Sequence, residues 1–225
     1  MGKIFDIESK FMQTALKMSD ILIINILTVV CSLPILTIGP AFSAMHYCLL
    51  KLHRDEGSGI FKMFFHSFIS NLGQGILLTL VYLVYIIILV LDYQFGTRSE
   101  GVLRLVLYGL PFLMILGGLS LCWVFPLQSR YKNTVIGTIK TTFAATLAHP
   151  IKSLMMTALM VCPFLILLLT NVGVPIIATF GLSLCGYLRV MLYDPVFKKL
   201  ETSNQTETPN EEAEKADATE DIIEE

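Results

Sequence analysis

The stretch Gly75-Ile-Leu-Leu-Thr-Leu-Val-Tyr-Leu-Val-Tyr-Ile-Ile-Ile-Leu-Val-Leu91 decides the class of fold. It carries no charge, and neither does Gln74 before it. About 18 apolar residues in a helix cross the roughly 30 Å hydrocarbon core of a bilayer. Only helices and closed barrels satisfy every backbone amide there. Barrel strands would alternate apolar and polar residues over about ten positions, and this run does not alternate. Working outward, four more runs qualify: Ile21 to Ile38, Leu105 to Leu127, Ser153 to Thr170 and Val172 to Leu188. The expected fold is an all-α integral membrane protein with about five transmembrane helices. The fourth and fifth runs meet at Thr170-Asn171, which predicts a tight helical hairpin, since Asn and Gly173 accept turn conformations.

Composition agrees with this class. Of 225 residues, 54% are hydrophobic and 15% charged, against about 25% charged in soluble domains. The net charge of −2 hides an asymmetry. From Glu201 on there are ten acidic residues and one Lys, a net −9, while residues 1–200 carry +7. This divides the chain into a membrane domain over 1–200 and a disordered, solubilising acidic tail over 201–225. A basic body made of apolar segments suits anionic lipid headgroups, not nucleic acid. A cleavable signal peptide over the first run is disfavoured by the long segment before it and by Pro34 within it.

Lys and Arg concentrate in cytoplasmic loops. The loops after spans one and three and the C-terminal flank hold ten, and the other side holds five. The loops after spans one and three and the C-terminus are therefore expected in the cytoplasm, with the N-terminus outside. If the first span, broken at Pro34, does not fully cross, the N-terminus is cytoplasmic.

The two basic loops carry amphipathic patterns. Phe42, Met45, Leu49 and Leu52 form one helical stripe, with Ser43, His46, His53 and Arg54 mostly away from it. Asp55 to Gly59 is a turn signal. Phe61, Phe64, Phe65, Phe68 and Leu72 form a second stripe, opposite Lys62, His66 and Ser70. Both are expected as cytoplasmic interfacial helices that also pack on the bundle. Ile60 to Leu72 lies over Thr138 to Pro150 at an offset of 78, pairing Asn71 with His149 and Gln74 with Lys152. That suggests a parallel internal repeat of span, elbow and span. Transporters often place sites at such repeat interfaces.

Motifs that carry chemistry are missing from the sequence. No G-x-S-x-G, G-x-x-x-x-G-K-[ST] or H-E-x-x-H occurs. The five Cys (31, 48, 122, 162 and 185) form no C-x-x-C and read as small packing residues. The four His offer no ligand spacing. Asp20, Asp92, Arg104 and Arg189 sit at run edges, which argues against a carrier built on intramembrane carboxylates. No catalytic, cofactor or metal residues are expected. The polar candidates are Asn25, read as hydrogen-bonding a neighbouring helix, and Asn71 and Gln74 at the start of span two. Trp123 and Tyr131 read as interfacial anchors. Gly117-Gly118, Gly181 and Gly186 allow close helix contact.

The most specific stretch is Leu33-Pro34-Ile35-Leu36-Thr37-Ile38-Gly39-Pro40-Ala41. Pro34 cannot donate to the Val30 carbonyl, so the helix breaks there. Thr37 can offer its hydroxyl to a freed carbonyl. Gly39 permits a sharp turn, and Pro40 suits the first turn of a new helix. One reading is a rigid corner; the other is that freed carbonyls face a cavity and bind something polar. With Asn25 upstream, Phe64-Phe65-x-x-Phe68-x-x-Asn71 downstream and Phe125-Pro126-Leu127 after span three, the run resembles the YesL-like family of bacterial membrane proteins over roughly residues 5–200. The resemblance implies a multi-pass protein of the bacterial plasma membrane with a link to carbohydrate uptake and utilisation. It brings no catalytic residues. The expected function is non-enzymatic. It is an accessory or partner-binding component that docks on transporter or sensor subunits, or pairs with itself, in the lipid bilayer. The alternative is a small-solute, sugar-related permease acting as an oligomer.

Overall fold

The computed structural model describes the backbone of residues 2–56, 59–96, 103–131, 133–169 and 181–223. Side chains are described over 12–56, 59–91, 93–94, 115–131, 133–163, 165–166 and 181–202. The chain is all-helical, with no strand among the described residues. Among the described residues eight α-helices follow in order. They are α1 (Gly2–Cys31), α2 (Ile38–His53), α3 (Ile60–Ser70), α4 (Leu72–Gly96), α5 (Leu103–Arg130), α6 (Val135–Ala148), α7 (Pro150–Leu169) and α8 (Leu182–Ile223). A 3-10 turn, Ile35–Thr37, joins α1 to α2.

Among the described residues, three segments are long and apolar enough to cross a bilayer: Met12–Cys31, Ile35–His53 and Leu72–Leu91. The pair Val135–Ala148 and Pro150–Pro163, bent by 109°, makes a fourth if it is one broken span. The run expected at 105–127 lies within α5, a 28-residue helix. The expected Thr170-Asn171 hairpin and most of the run 172–188 lie outside the described residues.

The first expected span changes in kind. The chain leaves helical geometry after Cys31, and Pro34 is extended, with φ −76° and ψ 123°. The missing Pro34 N–H breaks the ladder, as its chemistry demands. Thr37 Oγ1 donates toward Cys31 O at 2.7 Å and Pro34 O at 2.8 Å, so the carbonyl it rescues is that of Cys31, not Val30. Beyond the corner, α2 folds back along α1. Lys17 on α1 pairs with Asp55, just past α2, at 2.7 Å. Lys17, midway along α1, and the loop after α2 therefore lie at the same end of the hairpin. The expectation that sets them on opposite sides of a membrane does not fit this geometry. Replacing Thr37 by Val should cost about 1–2 kcal/mol, because the Cys31 carbonyl loses its donor. Thr37→Ser keeps the hydroxyl and should stay within about 0.5 kcal/mol of wild type. Equal unfolding midpoints in micelles for the Val and Ser variants would remove the hydroxyl from the corner.

α2 also corrects an expectation. It is not an elbow with one wet face. Ser43 and His46 are buried along with Ala41, Ala44, Met45, Cys48 and Leu49. Small residues let α1, α3, α4 and α5 pack around α2, leaving Phe42, Tyr47 and the last turn half-buried. α3 keeps two faces, but both carry aromatics: Ile60 and Phe64 are buried, while Phe61, Phe65 and Ile69 are exposed beside Lys62 and His66. The turn between α2 and α3 has left-handed Asp55 (φ 54°) and Gly59 (φ 82°). There the Lys51 ammonium, 2.7 Å away, holds the exposed Glu56 carboxyl below its usual range.

α5 is the second hub, contacting α2, α4, α6 and α7. Trp123 on α5 is fully buried, and its Nε1 donates to Ser153 Oγ at 2.8 Å. It is a core residue and not the interfacial anchor its position suggested. Because the chain has one Trp, its fluorescence reports this contact alone. A blue-shifted emission resistant to aqueous iodide is expected for the folded protein, with a red shift and more quenching in Ser153→Ala. Strong quenching of the native protein would contradict the burial.

Two compact units divide the chain, Met1–Val190 and Met191–Glu225. In the second, Lys198 pairs with Asp194 at 2.9 Å and the Tyr193 and Phe197 rings lie 4.9 Å apart. Its backbone is helical to Ile223, where composition alone suggests disorder. Glu, Ala and Lys are strong helix formers.

Candidate functional site

Asn71 and Gln74, singled out as polar residues opening span two, stand at the junction of α3 and α4. Asn71 is the break between the two helices, with φ −100° and ψ 4°, and its carbonyl receives the Gly75 N–H at 2.7 Å, starting α4. A cleft of about 680 Å³ opens here. The ends of α3 and α5 line it, together with the start of α4, the 131–134 connection and Tyr47 of α2. Amides, hydroxyls, the His66 imidazole and the Arg130 guanidinium make up its polar wall.

A hydrogen-bonded chain holds this wall in place. Ser43 Oγ, buried on α2, donates to Gln128 Oε1 at 2.8 Å. Gln128 Nε2 reaches Asn71 O at 3.4 Å, a long bond. Asn71 Nδ2 donates to Ser67 O at 2.8 Å. Gln74 Nε2 donates to Asn133 O at 2.8 Å and Thr138 Oγ1 at 3.0 Å, tying α4 to α6. The Asn71–Ser67 bond closes the end of α3 and the other links join different elements, so the cleft's shape depends on the packing of the hubs, α2 and α5. Gln128 and Arg130 were not singled out from the sequence as site residues. The signal was the run Gln128-Ser129-Arg130-Tyr131 directly after an apolar helix.

The corner residues do not join the cleft. Pro34 and Thr37 serve the α1–α2 turn, where the Thr37 hydroxyl reaches Cys31 O and the Thr37 N–H donates to Pro34 O. The space beside them, about 400 Å³, is walled almost wholly by apolar side chains such as Ile38, Phe42, Leu83 and Phe125. Gly39 and Pro40 sit in the first turn of α2 against Gly75 and Thr79 of α4. Gly39 is helical and not at a turn, since Gly59 is the one glycine with positive φ among the described residues. Asn25, fully buried on α1, accepts hydrogen bonds from Leu182 N at 3.1 Å and Ser183 N at 2.9 Å. Its partner is a helix terminus, not a helix face. Arg189, which looked peripheral, is 3% exposed and donates to Cys122 O at 2.8 Å.

Among the described residues, no group of three or more His, Cys, Asp or Glu converges to hold a metal ion. Gly117 sits under the Tyr85 ring and Gly186 under Leu49 and Met45, close contacts expected of small residues, while Gly118 faces nothing within 4 Å.

A family model described as Protein of unknown function, DUF624, matches residues 21–93. The matched segment contains the corner, α2, α3 and most of α4, and with them Asn71 and Gln74. No curated protein and no solved structure matches the chain.

Proposed function

We propose that the protein works by binding and not by catalysis, as an accessory membrane component of carbohydrate uptake. The observation that carries this reading is the cleft: a roomy polar wall of amides and hydroxyls, set at the end of apolar helices and held by bonds between five elements. Its volume falls within the roughly 300–1,000 Å³ of small-molecule sites. The lining offers neither a carboxylate pair nor a thiol for acid–base or nucleophilic work. The link to carbohydrate, and the placement in a bacterial plasma membrane with a cytoplasmic C-terminus, rest on the YesL-like resemblance and the Lys and Arg bias. The exposed Phe61, Phe65 and Ile69 of α3, beside Lys62, give a face that transporter or sensor subunits could engage. The junctions α3–Asn71–α4 and α6–His149–α7 fall at the proposed offset of 78, which favours an internal repeat.

A second reading, a sugar-related permease acting as an oligomer, draws on the same cleft. The two separate in one pair of measurements. Pull-down of the full chain in mild detergent should recover sugar-transporter or sensor subunits, and the purified protein in liposomes should pass no sugar. Sugar flux by the purified protein alone would overturn the accessory role in favour of the permease.

A further inference from the structure

Of the cleft amides, Gln128 is bonded on both sides, whereas Asn71 and Gln74 are satisfied on one side only, and in the same sense. Asn71 Nδ2 meets Ser67 O and Gln74 Nε2 meets Asn133 O, each at 2.8 Å. A backbone carbonyl can only accept, so each amide must turn its NH2 toward it and its oxygen away. Among the described residues no donor reaches Asn71 Oδ1 or Gln74 Oε1. Neither oxygen is among the buried atoms left without a partner, so both keep accessible surface, on residues that line the cleft. They stand three residues apart, Asn71 at the break before α4 and Gln74 in its first turn.

We infer that the cleft binds a neutral, hydroxyl-rich solute of sugar size, whose hydroxyls donate to Asn71 Oδ1 and Gln74 Oε1. This rests on the cleft being a ligand site, as proposed above, but not on any protein partner. Hydrogen-bond chemistry selects the class. Two amide oxygens need donors, and an ionised carboxylate or phosphate oxygen has none to give. The Arg130 guanidinium in the same wall opposes an amine. A hydroxyl suits both, donating to the amides and accepting from the guanidinium. Losing one such acceptor leaves a solute hydroxyl unpaired, a loss of about tenfold or more in affinity.

The test is calorimetric titration of the full chain in micelles with glucose, galactose, maltose and sucrose, then with glucuronate, glucosamine and inorganic phosphate. Saturable binding of at least one neutral sugar is expected, at least tenfold tighter than any charged probe. Gln74→Met should weaken that binding at least tenfold. Gly73→Ala, on the same helix and meeting nothing within 4 Å, should stay within twofold. Preference for glucuronate or phosphate, or saturable binding of none of the probes, overturns the inference. Should Gln74→Met not fold, the wild-type series still decides. Neutral-sugar binding without recovered subunits would sink the accessory role and keep this site, and recovered subunits without sugar binding would do the reverse.

Discussion

Gly75→Val should abolish recovery of folded protein, while Gly73→Ala, two residues away on the same helix, should be neutral or better. A Cβ at Gly75 would lie 2.7 Å from Pro40 Cγ, and 2.8 Å from its Cδ and backbone N. A proline ring has no rotamer to retreat into, and its nitrogen belongs to the backbone. The facing residue is equally constrained, since a Cβ at Gly39 would meet Thr79 Oγ1 and stand 2.6 Å from Gly75 O. α2 and α4 therefore touch backbone to backbone, as small residues allow between membrane helices. A polar relay runs through the contact. Gly39 N, an orphan donor in the first turn of α2, reaches Thr79 Oγ1 at 3.1 Å, and that hydroxyl donates to Gly75 O at 2.8 Å. Overpacking costs about 1–3 kcal/mol where neighbours can give. Here they cannot, so even Gly75→Ala should reach the top of that range, and the branched Val should exceed it. A Cβ at Gly73 meets nothing within 4 Å, and Ala in a helix is worth about 0.5–1 kcal/mol over Gly. Size-exclusion profiles and unfolding midpoints in micelles provide the comparison. Indistinguishable Gly75→Ala and Gly73→Ala proteins would mean that α2 and α4 do not meet this way.

Helices long and apolar enough to cross a bilayer were legible where length and the absence of charge suffice, as at Met12–Cys31 and Leu72–Leu91. The Pro34 break and the Asp55–Gly59 turn were legible because they follow from single residues. What failed was the assignment of faces. Periodicity arguments treat polar side chains as pointing to water, and in this chain many point inward. α6 buries Thr138, Thr142 and Thr146 at i, i+4 and i+8, while Ile136 and Leu147 are exposed. The same inversion misplaced Ser43 and His46, and with them α2, which reads as an elbow only if its polar residues need solvent. Trp123 and Arg189 were judged by closeness to the ends of apolar runs, and burial overrode that position for both. The cleft was half visible. Asn71 and Gln74 stood out as polar residues opening a span, but Gln128 and Arg130 arrive from 57 and 59 positions after Asn71, respectively. No local pattern reports that convergence.

Asn25→Leu should cost about 2–4 kcal/mol, by uncapping a helix 157 residues away. The first turn of any helix leaves N–H groups without intrahelical partners. In α8 the side chain that takes two of them, Leu182 N and Ser183 N, comes from α1. Asn25 has no exposed surface and Ser183 is buried, so water cannot replace the lost acceptor. Leu matches Asn in bulk but accepts nothing, leaving both donors stranded. A cap alone is worth about 0.5–2 kcal/mol, and each donor stranded away from water adds a penalty of about 1–3 kcal/mol, partly the same loss counted twice. The damage should be local first. Hydrogen exchange at the amides of 182–185 should accelerate well before those of α2 and α5, because the two donors that Asn25 holds are Leu182 N and Ser183 N. Asn25→Asp separates capping from packing. It keeps an acceptor oxygen at a helix N-terminus, where a negative charge is favoured, but carries a charge into a buried site, which is costly. Its exchange at 182–185 should stay nearer to wild type than that of Asn25→Leu, even if its global stability falls. Equal acceleration in both variants would show that shape, not the accepted hydrogen bonds, is what Asn25 supplies.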